Sequence, residues 1–491
     1  MEAAGELRFG TPAGRWVIAA AVLGSGVAFL DATVVNVALP SMAADLGGGL
    51  SGMQWVLDGY LLTLSALLLL GGALGDLYGR KRTYVIGLVG FTAASLLCGV
   101  APSVGFLVAA RALQGVAGAL LVPGSLSILS ASFRSEDRGA AVGAWSGLSG
   151  VATALGPFAG GWLVDAASWR FVFLVNLPLA AVAVLVTLRH VPESRDPAAA
   201  AAGRPDLAGA ALATLGLGGL VYALIEGSAR RELTPVLALA GGVGLAGLVA
   251  FPFVERRRSQ PLVPLSIFRS RQFVGANATT LTVYAALGGA LFLIAVELQR
   301  VLGYSALEAG SSLLPITVVV LALSARAGRL AQRTGPRLPM TAGPIVAGLG
   351  LFLASFISPG DPYVTSVLPA VVVLGLGLAC TVAPLTAAVM AAVDEGHVGV
   401  ASGFNNAVAR VGGLLAVALL PAVAGLGGVD PGGPGFHAGV ARALRIAAGL
   451  AVAGGFTAFA LVRRSTPVRV VFQPNLSHAC NDPCLREADV A

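Results

Sequence analysis
Three ionisable residues fall inside apolar runs long enough to cross a bilayer: Asp31 within Trp16 to Leu39, Asp58 early in 53–74, and Arg111 early in 104–129. An unpaired charge at such depth costs several kcal/mol, so it is usually kept to move protons, ions or charged solutes. At 1.5 Å per residue, Asp31 lies about 12 Å and Arg111 about 10 Å from the same membrane edge. Facing each other they would form a switch, since a proton on Asp31 releases Arg111 and its loss restores the pair. A permanent ion pair tying two helices together is the other reading. Asp58 is a third member at a shallower level. Arg410 lies roughly 15 Å deep, with Asn405 and Asn406 about one turn earlier. It is either a cavity residue or a locked contact between helices.

The elements that must position these residues are membrane helices. Hydrophobic residues make up 56% of the 491-residue chain and charged ones 11%, against roughly 45–50% and 25% in soluble proteins, which leaves too little polar surface to face water. Runs of about 20 apolar residues place spans near 16–39, 53–74, 83–101, 104–129, 139–164, 171–188, 206–226, 234–254, 273–298, 306–325, 338–358, 363–388, 400–425 and 441–462. The fold class is all-α, a polytopic membrane protein of 14 spans. The first run exceeds the ~7–15 residues of a signal-peptide core and reads as a retained anchor. Most of the 31 Lys and Arg residues fall on segments that then share one side, among them Arg80, Lys81, Arg82, Arg256 to Arg258, Arg326 to Arg337, Arg463 and Arg464. That places both termini in the cytoplasm. The net charge of +7 reflects this bias and an anionic inner leaflet, so nucleic acid is not needed as a partner.

The chain repeats itself. Gly72 to Arg80 is echoed by Gly328 to Arg337, Gly139 to Gly143 by Gly399 to Gly403, and Val122-Pro123 faintly by Ala383-Pro384, each about 260 residues later. Two six-span halves follow, with spans 7 and 8 inserted between them. The expected division is a cytoplasmic N-terminus 1–15, an N-terminal six-helix bundle 16–188, a linker with two additional transmembrane helices 189–271, a C-terminal six-helix bundle 272–462, and a cytoplasmic tail 463–491. Two like-oriented halves around a midplane cavity suit an alternating-access carrier.

Several segments carry a recognisable pattern. Gly72 to Arg82 resembles the G-x-x-x-D-[RK]-x-G-R-[RK] loop of the major facilitator superfamily. Phe29-Leu-Asp-Ala-Thr-Val-Val-Asn-Val-Ala-Leu-Pro40 resembles the first-span signature of its fourteen-span drug:proton antiporter branch. Arg111-Ala-Leu-Gln-Gly115 is similar to that branch's fourth-span motif, and Gly147 to Gly161 to its fifth-span antiporter motif. Trp169-Arg-Phe-Val-Phe173, with Asn176 and Pro178, resembles its sixth-span entry, and Ser402 to Asn406 agrees more weakly. The resemblance covers residues 16–190 and implies two six-helix bundles of the major facilitator fold plus two extra central helices. It also implies export of hydrophobic drugs or antibiotics in exchange for external protons. Two departures matter: Leu77 replaces the motif's basic residue, and Gln332 stands where the first half has Asp76, so the two loops are not equal gates.

Within the expected gating loop of Gly72, Gly75, Asp76, Gly79, Arg80 and Lys81, Gly75 and Gly79 allow a tight turn and Asp76 can accept from Arg80 or a helix end. A plain basic turn is the competing reading. Gly139, Gly143 and Gly147 recur every four positions, permitting close helix approach, and Gly156-Pro157 can bend the helix; Gly160 and Gly161 complete the antiporter set. Static packing alone is the alternative. Cavity walls are expected from Phe29, Trp55, Gln114, Trp145, Phe292, Asn405 and Arg410, since aromatic walls suit greasy, often cationic molecules. Glu226 and Glu297 sit near span ends, where a carboxylate can snorkel to water.

Other chemistries find little support. The single Lys, Lys81, precedes Arg82, so no ATP-binding loop is present. Gly242 to Gly247 spells a dinucleotide fingerprint inside a span, where helix packing explains it better. No catalytic constellation, cofactor or metal site is expected. The histidines at 190, 397, 437 and 478 are assigned to loops or tail. Cys98 and Cys380 behave as small apolar residues, and Cys480, Cys484 and His478 form only a weak metal motif in a reducing compartment. The partners are then a small hydrophobic substrate, protons and the lipid bilayer, with the chain acting as a monomer in a bacterial cell membrane. A proton-coupled importer of another metabolite and a non-transporting sensor are the rival readings; the first needs a more polar cavity, the second a signalling domain that the loops are too short to hold.

Overall fold
In lipid, a long apolar run can satisfy its backbone N–H and C=O groups only by becoming a helix or part of a closed barrel. The computed structural model describes residues 7–196, 205–232, 234–258, 261–394 and 398–463, which include fourteen helices of membrane-crossing length and composition. They are α1 Pro12–Leu46, α2 Gly49–Tyr78, α3 Arg80–Gly99, α4 Val104–Ser132, α5 Ser135–Ala166, α6 Phe171–His190, α7 Leu207–Arg230, α8 Pro235–Glu255, α9 Arg271–Arg300, α10 Ala306–Thr334, α11 Arg337–Ala354, α12 Val367–Met390, α13 Val398–Val423 and α14 Phe436–Leu461. Ser103, Thr234 and Ser270 cap α4, α8 and α9 by accepting from the N–H groups of Phe106, Leu237 and Phe273. Ser305 and Glu308 cap α10 reciprocally. At 35 residues, α1 is about 52 Å long and outreaches a hydrocarbon core of about 30 Å. The longest helices, α1, α2 and α9 among them, overrun the expected spans at both ends, whereas α11 stops at Ala354, four residues short of the expected 358. Arg464, His397, His478, Cys480 and Cys484 lie outside the described residues.

The packing repeats. Helix α1 packs on α5 and α6, α2 on α4, and α3 on α4 and α6; α9 packs on α13 and α14, α10 on α12, and α11 on α12 and α14. Every contact in the first set returns eight helices later. The two sets meet along α1–α9, α2–α13 and α5–α10, while α7 lies against α2 and α13, and α8 against α7. The inserted pair is thus central in the sequence but peripheral in space, with most of α8 facing outward.

One face of the bundle carries the start of α1 and the end of α14 and is called the terminal face; the other is the distal face. Near the distal face the halves are sewn together. Gln54 donates to Val417 O at 2.6 Å, Gln299 to Val37 O at 2.9 Å, and Arg300 to Pro40 O. Asp165 accepts from Ala306 and Leu307 N–H at 3.2 and 2.8 Å, and a Cβ on Gly161 would stand 2.6 Å from Leu307 Cα. Only glycine lets α5 and α10 approach so closely. Towards the terminal face α5 and α10 part. Beyond Gly150, whose Cβ position is 3.6 Å from Leu321, nothing comes within 4 Å of a Cβ at Gly147, Gly143 or Gly139. Close approach thus belongs to Gly156, Gly160 and Gly161, and the earlier glycine ladder expected to pack lies against open space instead.

Candidate functional site
Asp31 and Arg111 meet in the centre of the first half. Arg111 Nη1 lies 2.6 Å from Asp31 Oδ2, and the side chains are 1% and 0% exposed, respectively. The pair is held by five helices. From α4, Gln114 accepts from Arg111 Nη1 at 2.6 Å and donates to Asp31 Oδ1 at 2.9 Å and to Ser95 Oγ of α3 at 2.8 Å. From α6, Asn176 donates to Asp31 Oδ1 at 3.1 Å and to Ser95 Oγ at 3.3 Å. From α2, Val56 O accepts from Arg111 Nε at 3.1 Å, and the Tyr60 ring lies 4.3 Å from the guanidinium carbon. The Phe173 ring of α6 stands on the guanidinium as well, at 5.7 Å. Buried ions are tolerable only when such partners replace water. Every donor to Asp31 prefers a carboxylate acceptor, so the geometry is that of the ionised acid.

The node differs from the sequence reading in its membership. Asp58 is fully buried, yet neither oxygen has a hydrogen-bond partner among the described residues, and it does not join Asp31 and Arg111. A depth estimate fixes height but not the side of the helix, and α2 contributes Val56 O and Tyr60 to the node instead. Gln114 is part of the ion-pair network rather than a cavity wall. Ser95 and Tyr60 carried no sequence signal; Asn176 was visible only within the sixth-span motif.

The remaining candidates scatter. Trp55 is claimed by the inserted helix α7 rather than by a cavity: its Nε1 donates to Glu226 Oε1 of α7 at 3.0 Å, and its ring packs on Tyr222. Glu226 is thereby fixed, with Arg230 at 3.3 Å, rather than free in water. Phe292 is fully buried in the apolar core rather than standing on an open wall. Phe29 is half-buried on α1. Trp145 of α5 donates to Ser25 of α1 at 2.7 Å, and Asn405 of α13 donates to Asn277 and Thr280 of α9 at 3.1 and 2.7 Å, so both brace corresponding helix pairs. Arg410 is half-buried with Nε unpartnered among the described residues, and its charge reaches Tyr60 and Tyr284. Glu297, expected near water, is buried and in hydrogen-bond contact with His437 Nδ1, and His437 lies in α14 rather than a loop. His190 closes α6 and stacks on Trp16.

The 72–82 segment is one helix, one residue and another helix. Gly72 and Gly75 lie inside α2, and the turn is Gly79 alone at φ +113°. Asp76 Oδ1 receives Arg80 at 2.8 Å. Glu193 accepts from Lys81 and Arg82 N–H at 3.0 and 3.1 Å, capping α3 with an anion, and Lys81 Nζ reaches Leu188 O at 2.9 Å. Arg80 N–H to Ser194 O and Asp196 N–H to Asp76 O complete the clasp. All these bonds join the α2–α3 turn to the end of α6 and the first residues of the linker, and none reaches the second half. Among the described residues, no three His, Cys, Asp or Glu side chains are grouped to hold a metal.

A family model described as "Major Facilitator Superfamily" matches residues 21–417. The probable actinorhodin transporter of Streptomyces coelicolor is 38% identical over 420 residues, covering 83% of this chain and 72% of that protein. The methylenomycin A resistance protein of Bacillus subtilis is 36% identical, covering 86% and 90%. The tetracenomycin C resistance and export protein of Streptomyces glaucescens is 34% identical, covering 82% and 74%. Among solved structures, a peptide transporter POT in complex with sulfate superimposes with a TM-score of 0.66 at 15% identity, over 93% of this chain and 95% of that one, a likeness of fold.

Proposed function
This chain belongs to the Major Facilitator Superfamily, and we propose that it exports hydrophobic antibiotics or related drugs from the cytoplasm in exchange for external protons. The substrate class comes from relatives named for antibiotic resistance and export. The coupling rests on one observation: a fully buried Asp31–Arg111 pair spanning five helices of one half. With the terminal face in the cytoplasm, as the positive-inside bias favours, the present form is closed outward and parted inward between α5 and α10. Asp31 is ionised and bonded in this form, its proton already released to the inner side. In the opposite form a proton arriving from outside neutralises Asp31, removes the attraction that holds Arg111 and Gln114 to α1, and loosens the five-helix node. The two charge states thus favour different packings of α1 against α4 and α6, which is the differential any coupled switch needs.

The substrate lies between the halves, near Phe29 and Arg410. The guanidinium of Arg410 and the Phe29 ring offer donors and an aromatic face to a largely apolar molecule. Asp58 is a second proton carrier on α2, outside the node. The protein works as a monomer in a bacterial cell membrane, with both termini inside. The test is a susceptibility panel in an efflux-deficient host, comparing the wild-type chain with Asp31→Asn with and without an uncoupler. Protection that is lost in the variant and under the uncoupler is expected; protection that survives both refutes proton-driven export.

A further inference from the structure
The inner end of the α7–α8 hairpin holds a second arrangement of buried acids, remote from Asp31. Asp206, the N-cap of α7, has a side chain 3% exposed and accepts from Gly209 N–H at 2.9 Å through Oδ1. Glu255, the last residue of α8, is 1% exposed and accepts from Val263 N–H at 3.2 Å through Oε2. The other oxygen of each, Asp206 Oδ2 and Glu255 Oε1, is buried without a hydrogen-bond donor among the described residues. Both converge over Gly209: a Cβ there would collide with Glu255 Oε1 and stand 2.9 Å from Asp206 Oδ2. Among the described residues the charged group meeting the pair is Arg258, whose Nε lies 3.5 Å from Asp206 Oδ1 and which is itself half exposed. The other described neighbours of the carboxyls are each other, Gly209 and the backbone of residues 262 and 263.

Two carboxylates with orphaned oxygens in contact cannot both stay ionised away from water; they hold a cation or share a proton. One guanidinium engages only one oxygen of one acid, and among the described residues no third His, Cys, Asp or Glu side chain joins the two acids to complete a cation's ligand set. We propose that Asp206 and Glu255 are a proton-binding site in which the two carboxyls share one proton, clasping the α7–α8 hairpin to the segment that leads into α9. When the proton passes to water at the terminal face, both acids are left as carboxylates, they repel, and the Val263–Glu255 bond opens. The hairpin, which lies against α2 and α13 at the seam between the halves, is then tethered less tightly as the solution at that face becomes more alkaline.

The test uses the full-length protein in lipid nanodiscs and needs no substrate, so it succeeds or fails independently of export. Amide hydrogen exchange at Val263 and its neighbours is followed across a pH series after correction for intrinsic exchange, alongside the infrared band of protonated carboxyl. In the wild type, corrected exchange is expected to rise about tenfold with pH as the clasp opens, with loss of one carboxyl band. Glu255→Gln, whose amide donates permanently to Asp206, should lack that band and keep exchange low at every pH; Asp206→Asn should also lack the band. Corrected exchange that does not depend on pH in the wild type overturns the proposal without recourse to any variant. So does a pH response abolished by chelating divalent cations, which would assign the site to a metal.

Discussion
Replacing Asp31 by Asn keeps the size of the side chain and an oxygen for Gln114 and Asn176, but removes the charge that faces Arg111. Breaking one side of a buried ion pair costs about 3–5 kcal/mol. Arg111 retains Val56 O, Gln114 Oε1 and the Tyr60 ring, and a desolvated cation–π contact offsets up to about 2 kcal/mol. With the full offset the net loss is about 1–3 kcal/mol, which corresponds to a roughly 5- to 160-fold change in the balance between packings that ionisation can impose. In reconstituted vesicles, uphill transport driven by an imposed pH gradient should fall by at least that factor. Counterflow exchange of labelled for unlabelled substrate at equal pH should persist, because Phe29 and Arg410 are untouched. Wild-type uphill transport by Asp31→Asn would refute the reasoning outright; loss of counterflow together with uphill transport would refute the separation of proton and substrate groups.

Three further outcomes are expected. Gly79→Ala combines a φ of +113° with a Cβ placed 2.8 Å from Glu193 Oε1, and should cost about 1–2 kcal/mol. It should lower Tm by a few degrees and raise hydrogen exchange over 188–196, with an unchanged Tm contradicting the clasp. Gly161→Val drives a side chain into Leu307 of α10, so it should open the distal seal and increase modification of a cysteine placed at Gln299 by a membrane-impermeant reagent. Trp55→Phe removes the bond to Glu226, a charge-assisted contact worth about 1.5–3 kcal/mol. It should speed proteolysis of the α7–α8 loop while leaving counterflow intact.

Height in the membrane is legible in a sequence, because it accumulates at a fixed rise per residue, but the direction a side chain faces is not. The fourteen helices and their order follow from apolar run length, and Asp31 and Arg111 stand level by the same arithmetic. Asp58 is close to them in height and still misses the node, since azimuth depends on how α2 rolls against α4. Trp55 was assigned to a cavity as a large aromatic, yet the inserted helix α7, which leaves no mark on residue 55, claims it. Gly139, Gly143 and Gly147 carry the spacing of a packing face, and the spacing cannot tell which of two conformations closes on it. Glu297 and His437 are 140 residues apart and meet only because α9 packs on α14.

The most direct measurement of the central claim is proton release when substrate is added to purified protein in weakly buffered detergent solution. Substrate that draws the protonated, opposite-facing population into the form with the ionised Asp31–Arg111 pair is expected to release protons from the wild type, up to about one per bound substrate, and Asp31→Asn to release far fewer while still binding. Equal release from both proteins would place the coupling on some other group and contradict the account.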